Sequence, residues 1–251
     1  MSYEFLAPDG AVPSDGFAPL ALSPMERDAR AAGAAFEVRD GWNVAVRYTT
    51  AEQEREAAAR TAGWADVSHL GKLEIQASAD DLAAIVAQAS GGATLTLGRA
   101  TRAAGAWWCP LTRQRALVIC ATGDTAALRG RLEEAAAAVP GTAAVTELTT
   151  KYCALTIVGA QAREVFARFC ALDLRPRECP VGALRPGSVA RTPGTVICEA
   201  EDRYLVLVGA ALGAYLWTVV SDAAGHLGGR PIGVDSLDPI AEPAEEATAH
   251  A

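Results

Sequence analysis

The side chains best placed for chemistry crowd into one short run, Asp66-Val67-Ser68-His69-Leu70, set between Gly63-Trp64-Ala65 and Gly71-Lys72. A carboxylate, a hydroxyl and an imidazole on a tight turn ahead of a strand offer proton donors and acceptors at the edge of a cleft. They lie too close in sequence to act as nucleophile, base and orienter of a hydrolytic triad. Asp66 suits turn capping better than chemistry. His69 either lines a channel or hydrogen-bonds its own turn. Aromatic residues form the second group. Trp42 and Tyr48, in Gly41-Trp42-Asn43-Val44-Ala45-Val46-Arg47-Tyr48, have the spacing of core residues. Trp107 and Trp108 occupy successive strand positions, so one should point inward and the other outward. The outward ring would stack on a ligand or bury itself in a partner subunit.

Acids are distributed unevenly. No Asp or Glu occurs between Asp81 and Asp124, a stretch that instead carries Arg99, Arg102, Arg113 and Arg115. The six cysteines form no C-x-x-C pair, and no histidine sits at metal-ligand spacing from them. They are expected to be reduced thiols of a cytoplasmic protein, with no metal site.

The elements that must hold these residues alternate between strand and helix. Thr50 is placed to cap a helix from Ala51, with Gln53 completing a capping box. Lys72 to Ala77 alternates as a strand. Ser78 caps a helix from Ala79 to Gln88 whose Leu82, Ile85 and Val86 share a face. Ala116 to Cys120 reads as a buried strand, and Asp124 opens a helix to about Ala138. The second half repeats the order: strand Ala154 to Gly159, helix Gln161 to Cys170, paired strands Thr195 to Glu199 and Tyr204 to Val208, and helix Leu212 to Ala223. LEIQASADDLAAIVAQ matches LTIVGAQAREVFARF, and ALVICATGDTAALRGRL matches YLVLVGAALGAYLWTVV, in both cases about 80 to 90 residues apart. The pattern predicts an α+β fold of two similar modules, with antiparallel sheets flanked by helices and a ligand-sized channel at their junction. The expected boundaries are a loose arm at 1–20, modules at 21–145 and 146–240, and a disordered tail at 241–251.

The chain has 251 residues, about half of them apolar, and a formal net charge of −8. Such a charge disfavours nucleic acid and anionic membranes. The first residues lack the basic-then-apolar pattern of a signal peptide. The uncharged run from Tyr204 to Ser221 has a length that suits a membrane span, but it breaks at Gly209 and reads better as a strand followed by a buried helix.

In their order and spacing, Gly41 to Tyr48 and Gly63 to Lys72 resemble the folate-binding part of the glycine-cleavage T protein (aminomethyltransferase) family. The resemblance runs from about 20 to 240. Leu22 to Phe36 resembles the family's entry helix, Ala154 to Gly159 with Ala162 its strand-turn-helix, and Gly229 to Val234 the segment that closes its second domain. The later half is closer to the γ subunit of heterotetrameric sarcosine oxidase, through Gly105 to Trp108, Leu172 to Gly182 and Leu212 to Trp217. The resemblance implies a central channel for tetrahydrofolate, in which an amine-bound one-carbon unit is transferred to give 5,10-methylenetetrahydrofolate. It also implies that the family's third, barrel-like domain is absent. The folate contacts it offers are Trp42, Asp66, Ser68, His69, Leu70, Trp108, Glu199 and Glu201, with no catalytic residue assigned. The arginines from Arg99 to Arg115 become either a solvated face or a dock for a folate's glutamate tail or an acidic partner.

Three departures bear on activity. The family's catalytic aspartate has no counterpart in the acid-free stretch. Leu205 stands where the family places a pterin-binding glutamate. Val234-Asp235-Ser236-Leu237 replaces an arginine- and aspartate-bearing segment. The expectation is a hollow that lacks its own acid for the proton step, in a chain working as a T-protein-like or γ-like subunit. Its partners would be a flavin oxidoreductase or a barrel-bearing T-protein-like chain, with any FAD on a partner. The competing readings are a stand-alone aminomethyltransferase with altered residues and a non-enzymatic folate-binding regulator. The regulator's reactive-cysteine motif is only partly matched at Lys151-Tyr152-Cys153.

Overall fold

The computed structural model describes residues 20–239. The arm read at 1–20, Leu20 aside, and the tail at 241–251 lie outside them. In chain order the first half holds β1 (Ala21–Leu22), α1 (Glu26–Ala31), β2 (Ala35–Arg39), β3 (Trp42–Arg47), α2 (Ala51–Arg60), β4 (Gly63–Asp66), β5 (Gly71–Gln76), α3 (Ala79–Ser90), β6 (Thr101–Ala103), β7 (Ala106–Thr112), β8 (Arg115–Cys120), α4 (Thr125–Ala138) and β9 (Ala144–Glu147). The second half holds β10 (Tyr152–Val158), α5 (Ala162–Ala167), β11 (Leu184–Val189), β12 (Thr192–Ala200), β13 (Arg203–Gly209), α6 (Gly213–Gly225) and β14 (Arg230–Pro231).

Local signals set these elements. The Thr50 hydroxyl accepts from the Gln53 N–H and the Ser78 hydroxyl from the Asp81 N–H, each satisfying an otherwise unpaired amide of the first helical turn. Gly91, at φ +76°, closes α3 in the left-handed conformation. The uncharged run splits as its sequence predicts, into β13 and α6. Among the described residues no helix is long and apolar enough to cross a membrane. Two expected helices are shorter. The entry segment is helical only over Glu26–Ala31, because Gly33 takes φ +91° and the chain then extends into β2. The helix read to Cys170 stops at Ala167, because Cys170 leaves it to bridge Val189.

Two large sheets carry the structure. The six-stranded sheet has the order β11-β12-β13-β10-β4-β14, and the five-stranded sheet β6-β7-β8-β5-β9. The repeat seen in the sequence is visible in both. β5 pairs antiparallel with β8 as β10 does with β13, and each second strand runs through a short 3-10 turn into a helix, α4 or α6. One strand crosses the halves: β4 pairs with β10 in the six-stranded sheet, and four residues later the chain enters the five-stranded sheet as β5.

Helices α3 to α6 cover the outer faces, while α2 sends Ala58 into the layer between the sheets. Val165, Phe166, Leu216, Trp217 and Val220 of α5 and α6 pack on one sheet. Leu82, Ile85, Val86, Leu128 and Leu132 of α3 and α4 pack on the other. Between the inner faces lies a third apolar layer, including Val67, Trp107, Ile119, Ile197, Leu205 and Leu207. Each fully buried side chain of this size contributes about 1.5–3 kcal/mol, so all three layers are needed.

A strap, 233–239, closes one side of this middle layer. It is tied by the Glu54 carboxylate, which accepts from Gly233 N (2.7 Å) and Ser236 Oγ (2.6 Å) as well as from Tyr48 N and Thr49 N (both 2.6 Å). Gly233 permits the approach, since a Cβ there would lie 1.9 Å from the Val46 carbonyl oxygen. Burial alone would raise the Glu54 pKa, but these donors together hold it below the ordinary carboxylate value. A depressed carboxylate stabilises the fold above its unfolded-state pKa, and the contribution is lost as pH falls through the folded value. Glu54→Ala should therefore cost about 2–4 kcal/mol at neutral pH, through the donors left unmet. Chemical denaturation should show the gap to wild type shrinking as pH is taken below the ordinary glutamate range. A gap that is constant with pH would contradict this role.

Candidate functional site

The segment 67–70 carries the chain from one sheet to the other across the middle layer. Asp66, at the end of β4, accepts from the Ser68 N–H at 3.0 Å and closes the turn. The Ser68 hydroxyl accepts from the Ala154 N–H at 3.1 Å, fastening the turn to β10. Both side chains are buried behind the cleft, and burial pushes the Asp66 carboxyl above its ordinary range. Asp66 is bonded by the side chains of Ser23 and Ser68 as well as by the turn backbone, and Ser68 by the backbone of β10. Val67, His69 and Leu70 face the other way and line a cavity of about 240 Å³ between the sheets.

Glu199 stands across that cavity, 5% exposed. Alternation along β12 puts Val196 and Cys198 on the helix-covered face and Ile197 and Glu199 on the inner one. A β-bulge sits at Glu199: Cys198 pairs with Tyr204 and Ala200 with Arg203, leaving the residue between them outside the ladder. Its carboxylate accepts from the Trp107 indole N–H at 3.0 Å and from Arg203 Nε at 2.9 Å. The first bond spans the two sheets, from β7 to β12. Burial raises the Glu199 pKa, opposed by Arg203, Trp107 and Arg102. The hollow is thus not without an acid: the acid-free stretch supplies none, but the opposite sheet does. Each carboxylate oxygen keeps a lone pair for a further donor.

Basic groups complete the inner cavity. The Arg102 guanidinium lies 5.7 Å from the Trp107 ring centroid. Arg203 links Glu199 to the strap through the Asp238 carbonyl, 2.5 Å from Nη1. His69 is almost buried, and that burial, with the Lys72 and Arg39 charges, pushes its pKa down to about 4. It is therefore a neutral imidazole at physiological pH, able to donate from one nitrogen and accept at the other. A second cavity of about 520 Å³ shares Glu199, Arg203 and Leu237 with the first and is rimmed by Glu201, Asp202 and Asp238.

Of the residues singled out in the sequence, His69, Leu70 and Glu199 meet at the inner cavity, and Glu201 lies on the rim of the outer one. Asp66 and Ser68 form the turn behind, and Trp42 is buried beneath the small three-stranded sheet β1-β3-β2. The expectation that one of Trp107 and Trp108 projects outward is corrected. The five-stranded sheet is covered on both faces, so both rings are buried. Trp108 lies under α3 and α4 and donates to the Ala103 carbonyl; Trp107 is the ring that faces the cavity. Arg203 and Thr156 also line the cavity. Their signal was strand parity with Leu205, Leu207 and Ala154.

The family model described as GCVT N-terminal domain matches residues 25–240. An aminomethyltransferase of Saccharopolyspora erythraea is 24% identical over 233 residues, covering 87% of this chain and 62% of its own length. The chain thus spans about three fifths of that relative. Among solved structures, the glycine cleavage system aminomethyltransferase T from Bartonella henselae superposes with a TM-score of 0.71 at 18% identity, over 86% of this chain and 60% of that one. A chain of heterotetrameric sarcosine oxidase from Corynebacterium sp. U-96 superposes with a TM-score of 0.62 at 21% identity, over 87% and 98%. At these identities the structural likenesses establish a shared α+β fold.

The electrostatics of the site give a direct prediction. Proton NMR of the His69 ring should show a titration midpoint near 4, well below that of an ordinary histidine. A midpoint near 6.5 would mean that the imidazole sits in solvent, outside the cavity.

Proposed function

The chain belongs to the GCVT N-terminal domain family, and on that premise we propose that it takes part in tetrahydrofolate-linked one-carbon transfer, of aminomethyl or N-methyl groups. It would do so as a T-protein-like or γ-like subunit of a larger assembly, with a flavin oxidoreductase or a barrel-bearing chain as partner. Any FAD would belong to that partner.

The observation that carries the reading is the buried Glu199 carboxylate in an inter-sheet cavity walled by Trp107 and roofed by arginines. A pterin has a flat face and an edge with adjacent N–H donors. A carboxylate is the natural acceptor for that edge, and an indole an apolar wall for that face. The residues present fit such a ligand. The inner cavity, at about 240 Å³, is below the usual range for a whole cofactor but suits a ring system, and it adjoins the 520 Å³ cavity. Arg102 offers charge for the carboxylates of a folate tail. When bound, tetrahydrofolate would supply the nucleophilic nitrogens that accept the one-carbon unit. The chain's own part is to hold the ring against Trp107, to accept ring protons at Glu199, and to keep the neutral His69 at the cavity edge.

A stand-alone aminomethyltransferase with altered residues is the second reading. The position of Glu199 favours it, because a buried carboxylate of raised pKa is suited to moving a proton. Turnover by the purified chain alone would select this reading over the subunit.

Calorimetry with tetrahydrofolate tests the shared core of both. Binding is expected, and Glu199→Gln should weaken it about tenfold, the loss of one charge-assisted hydrogen bond. No heat at millimolar ligand would remove the reading.

A further inference from the structure

We propose that Lys72 is a positioning residue of this site: seated beneath the crossover turn, it holds the carbonyls of Ser68 and Leu70 and so fixes the angle at which His69 meets a ligand in the inner cavity. The proposal rests on the reading that a folate-class ligand occupies that cavity.

Lys72 is the second residue of β5 and is fully buried. Lysine is almost never found fully buried unless it is paired, because desolvating its ammonium is costly. Here the two hydrogen bonds of the ammonium go to backbone, to Ser68 O at 2.9 Å and Leu70 O at 2.7 Å. A lysine kept only to balance Asp66 would bond to that carboxylate, yet Asp66 closes its turn on the Ser68 N–H. A methionine or leucine would fill the same volume without the desolvation cost. The expense therefore has to be met by what the ammonium does for the turn.

What it does follows from the topology. Residues 67–70 are leaving one sheet and entering another, so the carbonyls of Ser68, His69 and Leu70 have no ladder to accept into, and buried carbonyls need donors. Lys72 serves the outer two. The Thr122 hydroxyl serves the middle one, donating to His69 O at 2.6 Å. His69 is thus flanked on both sides by carbonyls tied to one ammonium and is itself tied to the turn ahead of α4. Its side chain lines the cavity, which Glu199 also lines. The charged groups that act on His69 are Lys72 from β5 and Arg39 from β2. The cavity walls add Arg102, Arg203 and Glu199. Asp66, Cys153 and Cys120 face the ammonium.

The test compares Lys72→Met with the charge-neutral Thr122→Val, in the full chain. For each, the nuclear Overhauser contacts of the His69 ring with the apolar side chains of the inner cavity are recorded, and tetrahydrofolate binding is measured by calorimetry. Both variants should lose ring contacts seen in the wild type. Binding should weaken about tenfold in Lys72→Met, as expected for a lost hydrogen bond to a charged donor, and by a smaller factor in Thr122→Val. Wild-type ring contacts and affinity in Lys72→Met, with only the melting temperature lowered, would overturn the proposal and leave Lys72 a packing residue. If Lys72→Met does not fold, Lys72→Gln decides instead, since its shorter amide cannot hold the Ser68 and Leu70 carbonyls together; wild-type His69 ring contacts and affinity there overturn the proposal. If the wild type itself fails to bind tetrahydrofolate, the functional reading falls, and the ring contacts still judge the positioning role.

Discussion

A carboxylate sealed between two sheets costs several kcal/mol unless its charge is met, and the middle of this protein is arranged around meeting it. Glu199 takes one hydrogen bond from the indole of Trp107 on the facing sheet and one from Arg203 on its own. The distance between the sheets, the orientation of the Trp107 ring and the bulge in β12 are thereby coupled. Removing either donor leaves a buried charge short of a partner. Moving the sheets apart breaks the bond between them. This coupling keeps a polar hollow in place where two apolar inner faces would otherwise close on each other.

Two other segments define the hollow. The crossover turn forms one end, with its polar side chains bound into β4 and β10 and its imidazole left in the cavity. The strap forms another wall and is held by groups from distant parts of the chain. Glu54 binds it at Gly233 and Ser236, Arg39 pairs with Asp235 at 2.6 Å, and Arg203 reaches Asp238. Arg203 belongs to both systems, so the strap and the buried carboxylate report on each other. Glu199 and Arg203 both line the outer cavity as well as the inner one, so they stand where the two join.

Much of the fold was legible in the sequence, because it rests on local signals. The Thr50 and Ser78 caps, the alternation of β5 and the apolar runs of β8, β10 and β13 act over short stretches, and the internal repeat copies them. The family was legible from Gly41 to Lys72 for the same reason. The site was harder to read, because its geometry is decided across the sheets. Nothing near Trp107 and Trp108 says which ring faces the cavity; that depends on which face α3 and α4 cover. The absence of any acid from 82 to 123 suggested a hollow with no proton-handling group, yet the acid arrives from β12, about 90 residues later. Strand parity with Ile197 was the available signal. The extra residue of the bulge sits outside the pairing pattern and can be assigned only once β12 and β13 are in register. Lys72 was read simply as the start of a strand, because its role depends on the chain changing sheets just before it.

The central claim is that the inter-sheet cavity is a pterin site built around Glu199. A crystal structure of the chain with 5-formyltetrahydrofolate tests it most directly. The account predicts the bicyclic ring between Trp107 and the crossover turn, with its edge N–H groups within hydrogen-bond distance of the Glu199 carboxylate. A ligand seated elsewhere, such as the groove along the β11–β12 hairpin, with Glu199 still bound only to Trp107 and Arg203, would contradict it.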